Sequence, residues 1–276
     1  MDINDISVVI TTLKSEHKIY DCIDSLPKSI KIIIVENSNN IKFKNEVMLK
    51  YSNVRCILAG DNKGYAAANN IGLSNVNTKY ALVLNPDTKA TNKTFNNFFI
   101  FVKKFPNFWL VGPSGSRSDV KNLNQEILET EYLKGHAIFF NMIKFNNVFF
   151  DDKYFLYLEE IDLCKKIKIN KGTIYQDSSI EVLHDGGRSV NARSSHELEK
   201  NRNWHWMWST FYYHKKYKGY ILALILITPK LLSSFIKTLL YFLIFNSKKK
   251  DIYLCRLSGL LNSILCKKSW KRPTLD

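Results

Sequence analysis

The sequence contains few cysteines, and no two of them form a C-x-x-C pair. The five are scattered and odd in number: Cys22, Cys56, Cys164, Cys255 and Cys266. This pattern excludes a disulfide framework and a cysteine-based zinc site, and it is typical of reduced thiols in a cytosolic protein. We also expect no signal peptide, because the acidic start MDIND leads directly into an apolar segment.

Internal repeats and low-complexity linkers are lacking as well. The chain has 276 residues, of which 45% are apolar and 13% are aromatic. This is enough to bury a substantial core, either in one large α/β domain with an appendage or in two modest domains.

Acidic residues are scarce near the C-terminus. Lys200–Asp276, which we call the basic tail, holds 15 Lys and Arg but only two acids, whereas the preceding residues are close to neutral. This asymmetry indicates a polyanionic partner, either nucleic acid or an anionic membrane face. The sequence has no RNP-type or zinc-knuckle pattern, and an apolar run interrupts the basic residues, so the membrane is favoured.

That apolar run is too short and too often interrupted for a clean membrane-spanning helix, which needs roughly 20 consecutive apolar residues. Only 11 uncharged residues separate Lys218 from Lys230. A polar stripe recurs along the segment at helical spacing, formed by Pro229, Lys230, Ser233, Ser234, Lys237 and Tyr241. The other face carries Leu, Ile and Phe.

With Trp204, Trp206 and Trp208 before it and Lys248–Lys250 behind it, this helix resembles one that lies in the headgroup layer of a membrane. The alternative is that it packs on the rest of the chain or on a second subunit. The closing RLSGLLNSILCKKSWKRP predicts a further short amphipathic helix.

The first half of the chain alternates strand-like and helix-like segments. The predicted strands are Ile6–Thr12, Lys31–Ser38, Val54–Ala59 and Tyr80–Asn85, and the predicted helices are Ile19–Leu26, Phe43–Tyr51 and Gly64–Val76. Such alternation predicts a parallel sheet covered by helices, with ligands at the carboxyl ends of the strands. Glu36 and Asp87 lie at two of those ends.

The middle of the chain is less regular. Ser114–Glu131 reads as a polar loop, Tyr132–Asn141 as a strand, and Tyr154–Gly172 as an amphipathic helix that Gly172 ends. A short strand, Thr173–Asp177, follows, and Ile180–Ser189 turns outward through paired glycines.

Asp87 directly follows a proline whose φ angle is locked, at the end of the apolar strand in YALVLNPDT. A carboxylate held in this way can bind Mg²⁺ or Mn²⁺, which often combine one or two protein carboxylates with the phosphates of a substrate. The ion would neutralise a leaving diphosphate. The alternative is an Asp in an ordinary turn after a strand.

The segments SVVITT, IIIVENS, DNKGYAAANNIG, LVLNPDT, FLYLEEIDLCKKI and VLHDGGRS follow one another between Ile6 and Ser189. In this order they resemble family 2 glycosyltransferases, and among these the rhamnosyltransferase-like enzymes of bacterial polysaccharide and O-antigen assembly. The resemblance implies an α/β GT-A fold, Rossmann-like, with a mixed, mostly parallel sheet and helices on both faces. It also implies an inverting mechanism, a nucleotide-sugar donor and a divalent metal.

The resemblance assigns a role to each matching residue. Glu36 corresponds to an acid that contacts the nucleotide base. Asn85-Pro86-Asp87 stands at the family's D-x-D motif without the first acid, so Asp87 is the main acidic metal ligand. His184 completes the metal site. The donor side also includes Thr11, Asn62, Gly64, Asn69 and Asn85.

Glu160 corresponds to the usual catalytic base, here Glu instead of Asp, and Glu159 is the reserve candidate. The residues on the acceptor side are Gly135, His136 and Asp162. A sugar hydroxyl is a poor nucleophile, so a carboxylate within hydrogen-bond reach should take its proton. As alternatives, the acids could simply stabilise the start of a helix, and the histidines could be structural.

We therefore expect a GT-A catalytic domain over residues 1–198, with a nucleotide-sugar half at about 1–113 and an acceptor half at about 114–198. Residues 199–276 form the expected basic, helical membrane-association region. The expected enzyme, peripheral at the cytoplasmic face of the plasma membrane, moves a sugar from a dTDP- or UDP-sugar to a lipid-linked glycan of a cell-surface polysaccharide such as lipopolysaccharide. Rhamnose is the first candidate, and a homo-oligomer is left open.

Two alternatives remain. One is a nucleic-acid-binding protein that uses the basic tail, which would not explain the acids at the strand ends. The other is a catalytically inactive membrane scaffold that retains the GT-A fold.

Overall fold

The structure is a computed structural model that describes residues 2–114, 127–184 and 195–273. The chain divides into two compact units. The sheet unit comprises Met1–Asp151 and Glu160–Ser189, and the helical unit comprises Asp152–Glu159 and Val190–Asp276. The functional division expected at residue 198 stays a prediction.

The strands of the sheet unit follow the apolar segments of the sequence. They are β1 (Ile6–Thr12), β2 (Lys31–Glu36), β3 (Val54–Leu58), β4 (Tyr80–Leu84), β5 (Thr88–Lys89), β6 (Leu110–Pro113), β7 (Ile127–Glu129), β8 (Ala137–Asn141), β9 (Ile174–Asp177) and β10 (Leu183–His184). Eight of them form one sheet in the order β3-β2-β1-β4-β8-β6-β9-β7, and β5 and β10 form a separate ribbon.

The sheet is mixed and mostly parallel, as predicted. β1 pairs in parallel with β2 and β4, and β2 pairs in parallel with β3. β8 runs antiparallel to both β4 and β6, with Leu84 opposite Ala137. The segment before β8 therefore lies at the same edge of the sheet as the carboxyl end of β4.

Helices cover both faces of this sheet. Successive side chains of β1 point to opposite faces, so both faces carry apolar side chains that a helix can cover. The helices are α1 (Glu16–Ser25), α2 (Ile41–Lys50), α3 (Gly64–Leu73), α4 (Asn92–Lys104) and α5 (Glu159–Ile169), and α5 enters the sheet unit at Glu160. Val8 and Ile10 pack in one core with residues of α1, α2 and α4. Val9 faces α3, where a Cβ on Gly72 would come within 2.3 Å of its Cγ1.

Some predicted boundaries are wrong. The helix predicted from Tyr154 begins only at Glu159, because Tyr157 and Leu158 adopt left-handed backbone angles of φ 70° and 67°. The strand predicted from Tyr132 begins at Ala137. The sequence pattern predicts neither α4 nor β6, and β7 lies inside the predicted loop Ser114–Glu131. Residues 115–126 of that loop and 185–189 of the predicted glycine turn lie outside the described residues.

The helical unit contains α6 (Ser195–Lys218), α7 (Tyr220–Leu243) and α8 (Ser247–Ile264). Its small core is formed by Met207, Phe211, Ala223, Ile227 and Leu260. α6 and α8 approach closely, since a Cβ on Gly259 would lie 2.3 Å from the backbone oxygen of Trp204. The predicted C-terminal helices are thus present, but α8 begins and ends nine residues before the predicted closing segment, Arg256–Pro273.

Two of the three tryptophans expected at a membrane surface are buried in this unit instead. Trp204 is 1% and Trp208 is 4% exposed. Their indole N–H groups donate to Ser258 Oγ at 3.2 Å and to the Lys267 carbonyl at 3.0 Å. The expectation that these two rings anchor the protein in a membrane is therefore wrong, because the polar atom of each ring is already satisfied by α8 or the chain after it. Trp206 is 42% exposed.

Candidate active site

The turn after β4 holds the Asp87 carboxylate in a defined place. The Asn85 amide donates to the His136 carbonyl at 3.0 Å, and the Asn85 carbonyl accepts hydrogen bonds from the amide and the hydroxyl of Thr88 at 3.2 and 2.7 Å. Pro86 lies between these two anchors. Asp87 is only 6% exposed, so its carboxylate has little freedom to move.

His184 reaches the same carboxylate through the small ribbon. β10 pairs with β5 so that His184 lies opposite Thr88. Its Nε2 is 3.4 Å from Asp87 Oδ1. The ring of His136 stacks on that of His184 with 4.8 Å between centroids and 5° between planes. The structure thus brings together three residues that are far apart in the sequence and that the sequence analysis had assigned to the site.

The charges in this cluster favour an ionised Asp87. Burial alone would raise the pKa of Asp87, but the hydrogen bond and charge of His184, the Asp87 amide and Lys18 together lower it below its ordinary value. Burial, together with the charges of His184 and Lys134, lowers the pKa of His136 to about 4. His136 is therefore a neutral ring at physiological pH.

The chemistry of Asp87 and His184 fits a divalent metal. Asp87 Oδ1 is buried, and apart from the contact with His184 Nε2 at 3.4 Å it has no hydrogen-bond partner within the described residues, so it is the kind of oxygen that a cation would satisfy. One carboxylate and one imidazole suit Mn²⁺, and carboxylate oxygen suits Mg²⁺. No group of three or more His, Cys, Asp and Glu that could hold a metal is found among the described residues. An ion here would therefore take its other ligands from substrate phosphates and water.

Glu160 lies near the start of α5, close to Gly135. A Cβ built on Gly135 would be 3.8 Å from Cγ and Cδ of Glu160 and 3.7 Å from the Tyr65 hydroxyl. Tyr65 donates a hydrogen bond to the Gly135 carbonyl. Gly135 and Glu160 are predicted site residues, whereas Tyr65 is not predicted, because the small-residue pattern of α3 does not distinguish it.

The Glu160 carboxylate has the properties of a base. Its Oε2 is buried and makes no hydrogen bond within the part of the chain that the structure describes. Burial raises its pKa, although the amides of Glu160 and Ile161 at the start of the helix act in the other direction. A carboxylate with a raised pKa binds a proton more strongly near neutral pH, which suits proton abstraction.

Two other predicted acids are more deeply buried. Glu159 is 5% exposed and Asp162 is 1% exposed. Glu159 belongs to the helical unit, whereas Asp162 belongs to the sheet unit. The reserve role of Glu159 and the contact of Asp162 with an acceptor stay predictions.

The loop between β3 and α3 is held by Asn37, which the sequence analysis did not single out. Asn37 Oδ1 accepts from the Lys63 amide at 2.9 Å, and its Nδ2 donates to Asn62 Oδ1 and to the Gly64 carbonyl, both at 3.3 Å. Asn62 Oδ1 also accepts from the Gly64 amide at 3.1 Å. Two predicted donor residues, Asn62 and Gly64, are thus fixed by one buried amide. In the sequence, the position of Asn37 directly after Glu36, at the end of a strand, is the feature that could have identified it.

Thr11 and Asn69 connect the end of β1 with α3. The Thr11 hydroxyl donates to Asn69 Oδ1 at 3.1 Å, and Asn69 Nδ2 donates to the Tyr65 carbonyl at 2.9 Å. Thr11 and Asn69, both predicted to lie on the side of the sugar donor, are therefore located at the carboxyl end of β1. Their contact with a donor stays a prediction.

Glu36 is fully buried and binds its own loop. One carboxylate oxygen accepts from the amide of Ser38 at 2.9 Å and from its hydroxyl, and the other accepts from the Asn40 amide at 2.6 Å. These bonds shape the loop after β2. The predicted contact of Glu36 with a nucleotide base is not tested by them.

The Asn37→Ala variant is expected to lose about 1–3 kcal/mol of the free energy of unfolding, because it leaves the Lys63 amide and the buried Gly64 carbonyl without the Asn37 side chain as a partner. Urea denaturation followed by circular dichroism measures this. Asn170→Ala is the matched control, since Asn170 is exposed and, within the described residues, its side chain bonds only the carbonyl of Lys166. Equal stability of the two variants would show that the hydrogen bonds of the Asn37 side chain do not stabilise this loop.

The sheet topology, with acids and histidines gathered at the carboxyl edge, defines a GT-A-like α/β fold. The profile of glycosyl transferase family 2 matches residues 7–164, more than half of the chain. The chain therefore belongs to glycosyl transferase family 2. This confirms the family and the fold that the sequence motifs predicted. The rhamnosyltransferase-like subgroup stays a prediction.

One curated relative is the low-salt glycan biosynthesis hexosyltransferase Agl10 of Haloferax volcanii. It is 19% identical over 211 residues, which are 66% of this chain and 68% of the relative. Among solved structures, the mannosyltransferase PcManGT of Pyrobaculum calidifontis, in complex with GDP-Man and Mn²⁺, is similar with a TM-score of 0.58 and 12% identity. The match covers 96% of this chain and 88% of that one.

GalNAc-T7, solved with UDP, GalNAc and Mn²⁺, is similar with a TM-score of 0.53 and 12% identity. The match covers 65% of this chain but only 42% of that chain. At these identities the likeness to both solved structures concerns the fold.

Proposed function

We propose that this glycosyltransferase is a metal-dependent inverting enzyme that moves a sugar from a nucleotide diphosphate to a hydroxyl group of a lipid-linked glycan. The observation that carries the proposal is the placement of two different carboxylates at one edge of the sheet. Asp87 is held ionised beside His184, while the pKa of Glu160 is raised by burial. Carboxylates in such different environments suit two roles, charge binding and proton transfer.

In the proposed reaction, Glu160 accepts the proton of the acceptor hydroxyl as its oxygen attacks the anomeric carbon. The bond between that carbon and the diphosphate oxygen breaks, and the nucleotide diphosphate leaves with the bonding electrons. A single displacement of this kind inverts the anomeric carbon. Asp87 and His184 would hold Mg²⁺ or Mn²⁺, which stabilises the charge of a leaving diphosphate as a Lewis acid.

Fewer observations support the identity of the nucleotide-sugar donor and of the acceptor. PcManGT was solved with GDP-Man and GalNAc-T7 with UDP, so these likenesses do not select one nucleotide. They do support a divalent metal, since both contain Mn²⁺. A dTDP- or UDP-sugar, rhamnose first among the sugars, and a polysaccharide such as lipopolysaccharide are proposed from the subgroup resemblance alone.

The test is nucleotide-diphosphate release from a panel of UDP-, dTDP- and GDP-sugars, with bacterial membrane lipid extract as the acceptor source. We expect release from one donor with Mg²⁺ or Mn²⁺, its loss with EDTA, and its return when excess Mn²⁺ is added. No release from any donor by a folded protein would instead favour the inactive scaffold.

A further inference from the structure

One side of α7 is exposed along its whole length and is apolar except at Thr228, whose hydroxyl donates to the Leu224 carbonyl. Its most apolar 18-residue window has a mean hydropathy of 1.6 and is 17% buried, and α7 is the one helix in the described ranges long and apolar enough to cross a membrane. Exposed side chains recur at helical spacing from one end to the other, with exposures between 49% and 76%: Ile221, Ile225, Leu232, Phe235, Leu239 and Phe242. A face of this size indicates a binding surface.

The other side of α7 packs inside the helical unit. Ala223, Ile227 and Ser234 are buried, and Tyr241 stacks on Tyr253 of α8 with 5.5 Å between ring centroids. Part of the polar stripe predicted for α7 is therefore turned towards the protein. The apolar face is the one left uncovered in the described helical unit.

A row of cations lies where α7 meets α8, on the side of α7 opposite to this face. Lys237 Nζ and Arg256 Cζ lie 5.1 and 5.5 Å from the ring centroid of Tyr253, and Lys249 Nζ lies 5.3 Å from that of Tyr241. We call these three residues the seam cations. In the sequence from Tyr220 to Ile264 the single acid is Asp251, and it is 3.4 Å from Lys250. The seam cations thus have no carboxylate of these two helices to balance them.

This charge pattern selects between the occupants that an apolar face could have. A second copy of the chain would bring a second set of seam cations into the same interface, and like charges in an interface are unfavourable. An anionic lipid bilayer supplies both complements at once, acyl chains for the apolar face and phosphates for the cations.

The position of Lys230 selects between crossing the bilayer and lying in it. Lys230 is close to the middle of α7, so a helix that crossed would carry an ammonium group to the centre of the hydrocarbon layer, which is unfavourable. A helix parallel to the surface keeps Lys230 and Lys237 at the level of the headgroups.

We propose that α7 lies in the plane of an anionic lipid bilayer, with its apolar face among the acyl chains and the seam cations on lipid phosphates. This surface belongs to the helical unit alone. The proposal therefore stands or falls independently of the sugar transfer proposed above.

The full chain is tested by flotation with vesicles of phosphatidylcholine alone and of phosphatidylcholine mixed with phosphatidylglycerol. We expect binding to the mixed vesicles that weakens at high salt, because salt screens the seam cations from the phosphates. The Lys237→Glu/Arg256→Glu variant should bind at least about tenfold more weakly. The control is Lys42→Glu/Lys103→Glu, which changes the net charge equally on exposed lysines of the sheet unit and should bind like the parent protein.

Two further variants test the face and the orientation. Phe235→Asp/Leu239→Asp should lose binding to the mixed vesicles. The Lys218→Cys and Ser247→Cys variants, each made in a chain that also carries Cys266→Ser, should both react with a membrane-impermeant maleimide added outside sealed vesicles.

Protection of one of these two cysteines would overturn the in-plane orientation in favour of a spanning helix. Equal binding by the seam variant and its control would overturn the role of the seam cations. Failure of the parent protein to bind, with a dimer seen by sedimentation that Phe235→Asp/Leu239→Asp dissociates, would assign the face to a second copy of the chain. Inorganic phosphate at the concentration of the lipid should not compete; competition would show a site for free phosphate instead of lipid.

Discussion

The Glu160→Gln variant is expected to lose sugar transfer by about 10²–10⁴-fold, the usual contribution of general acid–base catalysis. Gln has nearly the same shape as Glu but does not accept a proton from the attacking hydroxyl. We expect its donor affinity, measured by isothermal titration with the nucleotide diphosphate and Mn²⁺, to stay unchanged. A loss in kcat without a loss in donor binding is the signature of a group that acts on the reacting atoms.

The same substitution should not destabilise the fold near neutral pH. For a carboxyl whose pKa is raised on folding, the folded state binds more protons than the unfolded state between the two pKa values. The free energy of unfolding therefore falls as pH rises from the ordinary Glu value to the raised one. The neutral amide of the Glu160→Gln variant does not titrate, so the melting temperature of this variant should equal or exceed that of the parent protein above this range.

Glu159→Gln is the matched control, one residue away on the same helix. If Glu160 is the base, Glu159→Gln keeps most of the transfer activity. If instead Glu159→Gln abolishes transfer and Glu160→Gln retains it, the two residues exchange roles. Retention of full activity by both variants would remove the carboxylate base from the mechanism.

The Asp87→Asn variant should lose about 10³-fold or more in transfer, since metal-ion stabilisation of a leaving group contributes several kcal/mol. Its second expected effect is independent of turnover. In the presence of the nucleotide diphosphate, Mn²⁺ bound to the parent protein should appear by electron paramagnetic resonance as loss of the free-ion signal, and Asp87→Asn should weaken this binding. His184→Ala should weaken it less, because it removes one imidazole ligand and keeps the carboxylate.

Asp177→Asn serves as the control for Asp87→Asn. Asp177 is also a buried carboxylate of the sheet unit, but it bonds the amide and hydroxyl of Ser179 at 2.8 and 2.6 Å. Its loss should lower stability without changing Mn²⁺ binding. Mn²⁺ binding that is equal in Asp87→Asn and the parent protein would mean that the metal, if required, is held elsewhere.

Stability should depend on pH in the opposite sense at Asp87. Because its pKa is lowered on folding, the stabilisation is present above the ordinary Asp value and is lost as pH falls through the lowered one. The difference in free energy of unfolding between the parent protein and Asp87→Asn should therefore disappear in acid, where both side chains are neutral.

The local sequence was sufficient for most of the sheet. β1 to β4 and α1 to α3 lie within three residues of the predicted ends because each is a short apolar run or helical repeat bounded by local turn signals. The order of the motifs was sufficient for the family. α4 was missed because its phenylalanine-rich core, FNNFFIFV, fits a buried strand as well as a helix.

What the sequence determined by itself is therefore the α/β alternation, the carboxylates at the strand ends and the charge asymmetry between body and tail. These depend on neighbours along the chain. The tertiary structure alone decided that His136 and His184 stack beside Asp87, that Gly135 lies against Glu160, and that Trp204 and Trp208 are buried. Each of these depends on the pairing of β8 with β4, of β10 with β5, or of α6 with α8. Contacts across such long stretches of chain are set by packing and register, which no local pattern encodes.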